Sequence, residues 1–175
     1  MRRRRVKRPR NAGLKAVSLG DTPTQRLTSA VIGLLVKRKQ GVFKELKLGW
    51  DAGRADVVSL SLRCIITIVE VKTSIGDARS DVRKGKWKTY LPYCHKFYWA
   101  FPLSLWQKHK EELASYIELG AGVIVLGATG HARVVRRCVM RSVEGVKLKE
   151  TVTRLAWRGS EYSARTHFRT RIDPQ

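Results

Sequence analysis

Acidic residues are scarce in this chain of 175 residues, which has 14 Asp and Glu against 36 Lys and Arg and a formal net charge of +22. So large an excess of one sign predicts a partner with dense negative charge. Nucleic acid is the first candidate, because Lys and Arg displace condensed counterions from a phosphate backbone. An anionic membrane surface is usually met by an amphipathic basic helix instead.

Long apolar runs and paired cysteines are also missing. No apolar stretch approaches the ~20 residues that span a bilayer, and no apolar core of ~7–15 residues follows the charged start, as a secretory signal would require. Cys64, Cys94 and Cys138 are odd in number and lack CxxC spacing, which fits a reducing compartment. We therefore expect a cytoplasmic, nucleoid-associated protein without a membrane partner.

The hydrophobic content of 43% is ordinary for a globular domain and argues against a disordered basic tail. The charge is concentrated at the ends, because residues 1–10 hold seven Lys and Arg with no acid, and residues 131–175 hold 11 against 4. We expect a basic arm over residues 1–20, one domain over 21–138 and a basic C-terminal extension over 139–175. The length suits a single core.

Hydrophobic periodicity predicts the order helix, three strands, helix, strand, helix and two strands, hence an α/β domain. Thr22 and Pro23 form a helix start, as N-cap and first helical residue. Residues 64–71, CIITIVEV, predict a buried central strand. Residues 76–91 and 103–117 each predict one helix, and residues 148–168 predict a basic helix.

Three charged residues become neighbours if this strand order is correct. Asp56 lies near the start of one predicted strand, and Glu70 and Lys72 lie near the end of the next. Two antiparallel strands joined by a tight turn place these ends side by side. Because side chains alternate along a strand, Glu70 and Lys72 share one face, whereas Val69 and Val71 enter the other.

Polar groups after so apolar a run are costly unless they meet water, a metal or a partner. Two adjacent carboxylates repel each other, and a bound Mg²⁺ or Mn²⁺, which prefers carboxylate, water and phosphate oxygens, relieves that repulsion. Such an ion activates water and stabilises charge on a scissile phosphate. Lys72 could then orient the attacking water, help to deprotonate it or neutralise the phosphate. The spacing alone fits a salt-bridged exposed strand edge equally well.

The same residues resemble the signature of PD-(D/E)XK nucleases, with Asp56 followed by Glu70-Val71-Lys72. Over residues 40–135 the chain is also similar to the MmcB-like DNA-repair branch of that superfamily. The similar positions are Arg54-Ala55-Asp56-Val57, Ile68-Val69-Glu70-Val71-Lys72-Thr73-Ser74, Asp77-Ala78-Arg79, Asp81, Lys86-Trp87, Tyr90, Tyr93-Cys94 and Phe97-Tyr98-Trp99-Ala100-Phe101-Pro102. The resemblance implies a restriction-endonuclease-like core, a mixed β-sheet flanked by helices, and metal-dependent phosphodiester hydrolysis.

The resemblance also assigns roles. It makes Asp56, Glu70 and Lys72 the catalytic residues and Asp56 and Glu70 metal ligands. Several branches supply another Glu from the first helix, but residues 23–40 contain no acid. Glu45 therefore joins the predicted metal ligands, with Gln25 as the other residue that could complete the site.

Further residues of the resembling stretch have alternative roles. Lys86 and Tyr90 stand where many of these nucleases carry a Gln-x-x-x-Tyr pair, and Lys in place of Gln predicts a phosphate contact. Asp77 and Asp81 could hold a second metal or position Lys72, although acids in a first helical turn also favour the helix dipole. Ser74 could simply cap that helix.

The predicted DNA contacts combine the arm with residues around the site. They are Arg2, Arg3, Arg4, Arg5, Lys7, Arg8, Arg10, Arg54, Ser74, Lys86 and Tyr90.

The sequence thus predicts a DNA endonuclease with Mg²⁺ or Mn²⁺ as cofactor, acting on duplex or branched DNA, including Holliday junctions, in repair or recombination. A homodimer is one arrangement that would cut two strands. Two alternatives stay open. The chain could be a non-catalytic DNA- or RNA-binding protein that retains the fold, or a basic component of a ribonucleoprotein.

Overall fold

A six-stranded mixed sheet forms the centre of the computed structural model, which describes residues 22–49, 52–116 and 120–169, without the side chains of residues 116 and 162–169. The predicted arm of residues 1–20, which holds the arginines and the lysine predicted to contact DNA, lies outside these described residues. The strands are β1 (Gly41–Lys47), β2 (Arg54–Leu60), β3 (Ile66–Val71), β4 (Lys96–Pro102), β5 (Gly122–Leu126) and β6 (Ala132–Arg136). The α-helices are α1 (Pro23–Lys37), α2 (Ile75–Lys84), α3 (Leu103–Lys108), α4 (Lys110–Tyr116) and α5 (Gly145–Arg169), and a 3-10 helix spans Lys86–Tyr93.

The strands lie in the sheet in the order in which they occur along the chain. β3 pairs in parallel with β4, and β4 with β5, whereas the remaining neighbours are antiparallel. Parallel neighbours need crossover connections, which α2 with the 3-10 helix and α3 with α4 provide. The predicted α/β class, with a mixed sheet flanked by helices, is therefore confirmed.

Helix α1 covers one face of the sheet. Thr22 caps it in a capping box with Gln25, and Pro23 is its first residue, as predicted. Its buried Leu27, Val31 and Leu35 belong to the same cluster as strand residues such as Val69 and Tyr98. This helix therefore seals the face of β3 that carries Val69 and Val71.

Aromatic side chains dominate the other face. Trp87 and Trp99 are almost fully buried, and the ring centroids of Trp99 and Phe97 are 5.4 Å apart in an edge-on arrangement. Ile66 and Ile68 of β3 belong to this cluster, so β3 is buried on both faces, as a central strand should be. The side chain of Glu70 alternates with these apolar residues and enters this face.

Two predicted helices are each divided in the structure. The helix predicted over residues 76–91 ends at Gly85, whose φ of +64° lies in the left-handed region that glycine adopts without strain. A 3-10 segment containing Pro92 follows. The helix predicted over residues 103–117 is interrupted at His109, where φ is −122°.

The C-terminal basic helix packs against the aromatic face. In α5, Thr151 and Leu155 are buried, and Leu148 and Val152 contact the core cluster. The predicted extension therefore contributes apolar contacts as well as charge. Among the described helices, none is both long and apolar enough to cross a membrane.

Candidate functional site

Strands β2 and β3 place Asp56 beside Glu70. Their antiparallel register pairs Val57 with Val69. This brings Asp56, which precedes Val57, alongside Glu70, which follows Val69. The backbone N–H of Asp56 donates to Glu70 Oε1 at 3.2 Å, and the N–H of Val71 donates to Asp56 Oδ2 at 2.8 Å. Each carboxylate is thus held by the backbone of the opposite strand, and the predicted juxtaposition is confirmed.

Glu70 lies in an apolar and electrostatically unfavourable position. It is completely buried, and its Oε2 accepts no hydrogen bond from the described residues. Burial and the nearby Asp56 raise the pKa of Glu70 from 4.5 to about 7, against the opposing charges of Lys72 and Lys86. The two carboxylates therefore resist being charged together unless a cation joins them.

Lys72 reaches two acids at once. Its Nζ lies 2.6 Å from Asp81 Oδ2 and 3.5 Å from Glu70 Oε2, the second being ion-pair rather than hydrogen-bond geometry. Burial acts to lower the pKa of Lys72, but the hydrogen bond to Asp81 and the charges of Glu70, Asp81 and Asp56 raise it overall. Lys72 is therefore a fixed ammonium beside the carboxylate pair.

Asp81 in turn is fixed by the backbone. Its Oδ1 accepts the N–H of Trp87 at 3.2 Å, just beyond the turn at Gly85. The side chain is buried on α2, although most of the residues of this helix are charged or polar. Of the two predicted roles of Asp81, the geometry matches the positioning of Lys72.

The predicted third metal ligand is directed elsewhere. Glu45 has an exposed side chain whose Oε2 lies 3.4 Å from Arg54 Nη1. Gln25 Oε1 accepts the N–H of Thr22 in the capping box. Within residues 22–49, 52–116 and 120–169, no group of three His, Cys, Asp or Glu side chains is arranged to hold a metal. Metal binding by Glu45 stays a prediction.

Tyr90, Lys86 and Gly53 lie close together beside the start of β2. Tyr90 is buried and its hydroxyl donates to the carbonyl oxygen of Arg54 at 3.0 Å, which fixes the start of β2. The ammonium of Lys86 lies 5.7 Å from the Tyr90 ring centroid. A Cβ on Gly53 would lie 3.1 Å from the Tyr90 hydroxyl oxygen. Glycine therefore allows the loop before β2 to pass close to this pair.

The remaining predicted DNA contacts differ in availability. Arg54 and Lys86 are exposed, whereas Ser74 Oγ accepts the N–H of Asp77 and caps α2. The hydroxyl of Tyr90 is already used within the protein. DNA contact by any of these residues stays a prediction.

The residues present fit a hard divalent cation. Mg²⁺ commonly takes one or two protein carboxylates and completes its shell with water and phosphate oxygens. Asp56 and Glu70 would hold the ion, because Glu70 Oε2 is buried without a hydrogen bond and each carboxylate is already oriented by a backbone N–H.

One contact beside the site has no obvious signal in the sequence. The Lys72 ammonium lies 5.8 Å from the centroid of the Trp99 ring. Strands β3 and β4 bring them together, because Glu70 of β3 pairs with Trp99 of β4. The sequence marks Trp99 as a strand residue but does not reveal which neighbour its ring will meet. The parallel register of β3 and β4 supplies that information.

The pKa of Glu70 leads to a stability prediction for the metal-free protein. Between pH 4.5 and about 7 the folded state retains a proton that the unfolded state releases, so this group destabilises the protein progressively as pH rises. We expect Glu70→Gln to remove this dependence, which is at most about 1.4 kcal/mol per pH unit for one proton. Urea unfolding across this range measures it.

Glu111→Gln is the matched control, since Glu111 is exposed on α4. It should unfold with the same pH dependence as the wild type. Equal slopes for wild type and Glu70→Gln would contradict the raised pKa.

The fold and the site together define an α/β protein with an acidic pair and a fixed lysine at the end of a buried strand. The family model described as "MmcB-like: DNA repair protein MmcB-like" matches residues 17–161, most of the chain. The chain therefore belongs to the MmcB-like DNA repair protein family.

A solved structure supports the fold. The "SPO1766 protein of unknown function from Silicibacter pomeroyi" superposes with a TM-score of 0.68 at 22% sequence identity, covering 82% of this chain and 90% of that chain. At this identity the likeness concerns the fold alone. A search of curated proteins gives no match.

Proposed function

We propose that this protein is a divalent-metal-dependent DNA endonuclease of the PD-(D/E)XK superfamily that acts in DNA repair. Membership of a family named for DNA repair supports the biological setting. The net charge of +22 supports a nucleic-acid substrate. The arrangement of Asp56, Glu70 and Lys72 supports hydrolysis.

A single observation carries the enzymatic part of the proposal. Asp56 and Glu70 are locked side by side, and Glu70 Oε2 is buried with no hydrogen bond and an ammonium 3.5 Å away. Leaving a buried charged acceptor unsatisfied is costly. We interpret this pair as a site in which Glu70 Oε2 gains its missing partner when a cation and the substrate bind.

Each residue has a distinct task in this proposal. Asp56 and Glu70 would hold Mg²⁺ or Mn²⁺, which would supply Lewis acidity and activate water. Lys72 places a positive charge beside the scissile phosphate, where negative charge grows in the transition state. Asp81 fixes the ammonium of Lys72. Hydrolysis forms one P–O bond to the water oxygen, breaks one P–O bond to a sugar oxygen and transfers a proton to the leaving oxygen.

We extend the proposal to branched DNA, including four-way junctions. Residues 1–10 hold seven Lys and Arg and residues 131–175 hold 11, and basic segments at both ends of the chain support contact with more than one duplex arm. One site cuts one strand, so paired incisions would require a homodimer.

A second function has an observation in its favour. Lys72 is already engaged by Asp81 at 2.6 Å, and burial raises the pKa of Glu70 to about 7, which disfavours the charged carboxylate that a cation needs. Both features fit a protein that retains the fold and binds nucleic acid without cutting it.

Cleavage mapping separates these functions. Linear duplex, single strand, flap and four-way junction are incubated with the protein in Mg²⁺ or Mn²⁺, at two salt concentrations. We expect cleavage with metal, none with EDTA, and the highest rate on a branched form. Binding to every form without cleavage of any would favour the non-catalytic function.

A further inference from the structure

A basic groove lies at the opposite end of β4 from the candidate site. It has a volume of about 720 Å³ and opens between the C-terminal end of α1, the start of β4 and the edge strand β6. Apolar atoms of Leu34, Tyr98 and Val134 line part of it. These residues belong to the core cluster on the α1 face, so the groove and Glu70 lie on different faces of the sheet.

Four cations line this basic groove, and its lining includes no acid. They are Arg38, Lys96, Arg133 and Arg137. Arg38, Arg133 and Arg137 are exposed, and Lys96 is half-buried. The ion pairs between described residues lie elsewhere, and none within 4.0 Å includes these four.

The cations come from separate parts of the fold. Arg38 is the C-cap of α1, where a positive charge compensates the helix end. Lys96 begins β4, whereas Arg133 and Arg137 lie in and just after β6, so three elements contribute the cations of the groove. Bringing like charges together costs energy that a bound anion would recover.

Arg38 is close to the floor of the groove. Burial, followed by Cys138, raises the pKa of Tyr98 to about 12, and the charge of Arg38 acts against that rise. Arg38 and Tyr98 both line the groove. This places a positive charge beside the apolar part of the groove lining.

The separation from the candidate site follows from the register. Lys96 pairs with Thr67, whereas Ala100 pairs with Val71, so the groove and the site are at opposite ends of the β3–β4 pair. Thr67 and Val71 are four residues apart, roughly 13 Å along a strand. A phosphate in the groove would therefore contact the protein at a different place from a phosphate beside Lys72.

We propose that this basic groove binds the phosphodiester backbone of a second DNA segment, separate from the segment held at Asp56 and Glu70. The groove's own DNA binding is independent of the proposed nuclease activity, and only the description of the segment as second depends on that proposed function. A branched substrate supplies two segments at once.

The double variant Arg38→Ala/Arg137→Ala tests the groove in the full-length protein. Its affinity for a four-way junction and for a linear duplex of equal length is measured by fluorescence anisotropy in EDTA, over a series of salt concentrations. We expect the salt slope on the junction to decrease by about two, because each lost phosphate contact removes about 0.9. We expect a smaller loss on the linear duplex.

Lys108→Ala/Lys110→Ala is the matched control, with the same charge change at exposed positions of α3 and α4. It should retain the wild-type slopes. Junction binding equal to that of the control would overturn the proposal. An equal decrease of the salt slope on junction and duplex would indicate one continuous binding surface. It would overturn the proposal that the groove binds a second DNA segment.

Cleavage assays distinguish this failure from failure of the proposed function. A wild type that never cuts but loses junction affinity in the double variant supports the groove without supporting the nuclease. A wild type that cuts normally while the double variant binds like the control supports the nuclease and rejects the groove.

Discussion

Lys72→Ala is expected to reduce DNA cleavage with Mg²⁺ by about 10²–10⁴-fold, the range typical for loss of a positioned catalytic group. The ammonium lies 2.6 Å from Asp81 Oδ2 and 3.5 Å from Glu70 Oε2. Its removal therefore leaves no positive charge at this position. Binding to DNA in EDTA should change little, because only one of 36 Lys and Arg residues is lost. Single-turnover cleavage and anisotropy measure the two effects.

Lys110→Ala is the control for this prediction, since it removes the same charge from an exposed position. It should cut at the wild-type rate. The substitution leaves the buried carboxylates of Glu70 and Asp81 without their common cation, which could destabilise the fold. Circular dichroism therefore has to show that Lys72→Ala is folded. Cleavage by a folded Lys72→Ala at the wild-type rate would remove Lys72 from the proposed chemistry.

Trp99→Ala is expected to destabilise the protein by about 3–5 kcal/mol, as large aromatic deletions in cores do. Its ring is 1% exposed and packs against Trp87, Phe97 and Phe101 in the aromatic cluster. The substitution leaves a cavity beneath Lys72 that the surrounding rings fill only in part. Urea unfolding at fixed pH gives the change in the free energy of unfolding.

Trp157→Ala tests whether this cost comes from burial. Trp157 is 68% exposed on α5, so its removal should change stability by no more than about 0.5 kcal/mol. Similar losses for the two variants would mean that the aromatic cluster is not the core that the structure indicates.

Much of the fold follows from local pattern. Thr22 and Pro23 mark the start of α1 by their own backbone chemistry, and the β-branched run in β3 marks a strand that is buried on both faces. The hairpin between β5 and β6 follows from a glycine turn, where Gly130 has a φ of +76°. Such signals depend on interactions between residues close together in the chain, which is why these elements can be predicted from the sequence.

The helix interruptions and the partners in the site depend on longer distances. Gly85 is compatible with a continuous helix as well as with the left-handed turn that ends α2 and leads into the 3-10 segment. The position of Asp56 beside Glu70 follows from alternation and an antiparallel turn. In contrast, the 2.6 Å contact of Lys72 with Asp81 requires the path of α2 across the sheet. Sequence periodicity places Asp81 on a helix and leaves a second metal and Lys72 as its two possible partners, between which only the three-dimensional structure decides.

The paired hydrogen bonds between Asp56 and the end of β3 have a practical consequence for substitutions that test the proposed chemistry. Both carboxylates substitute for backbone acceptors, receiving the N–H groups of Asp56 and Val71. Truncating either to alanine would leave a main-chain donor unanswered and loosen the strand ends. The amides Asn and Gln preserve an acceptor oxygen, so they are the replacements with which loss of chemistry can be separated from loss of architecture.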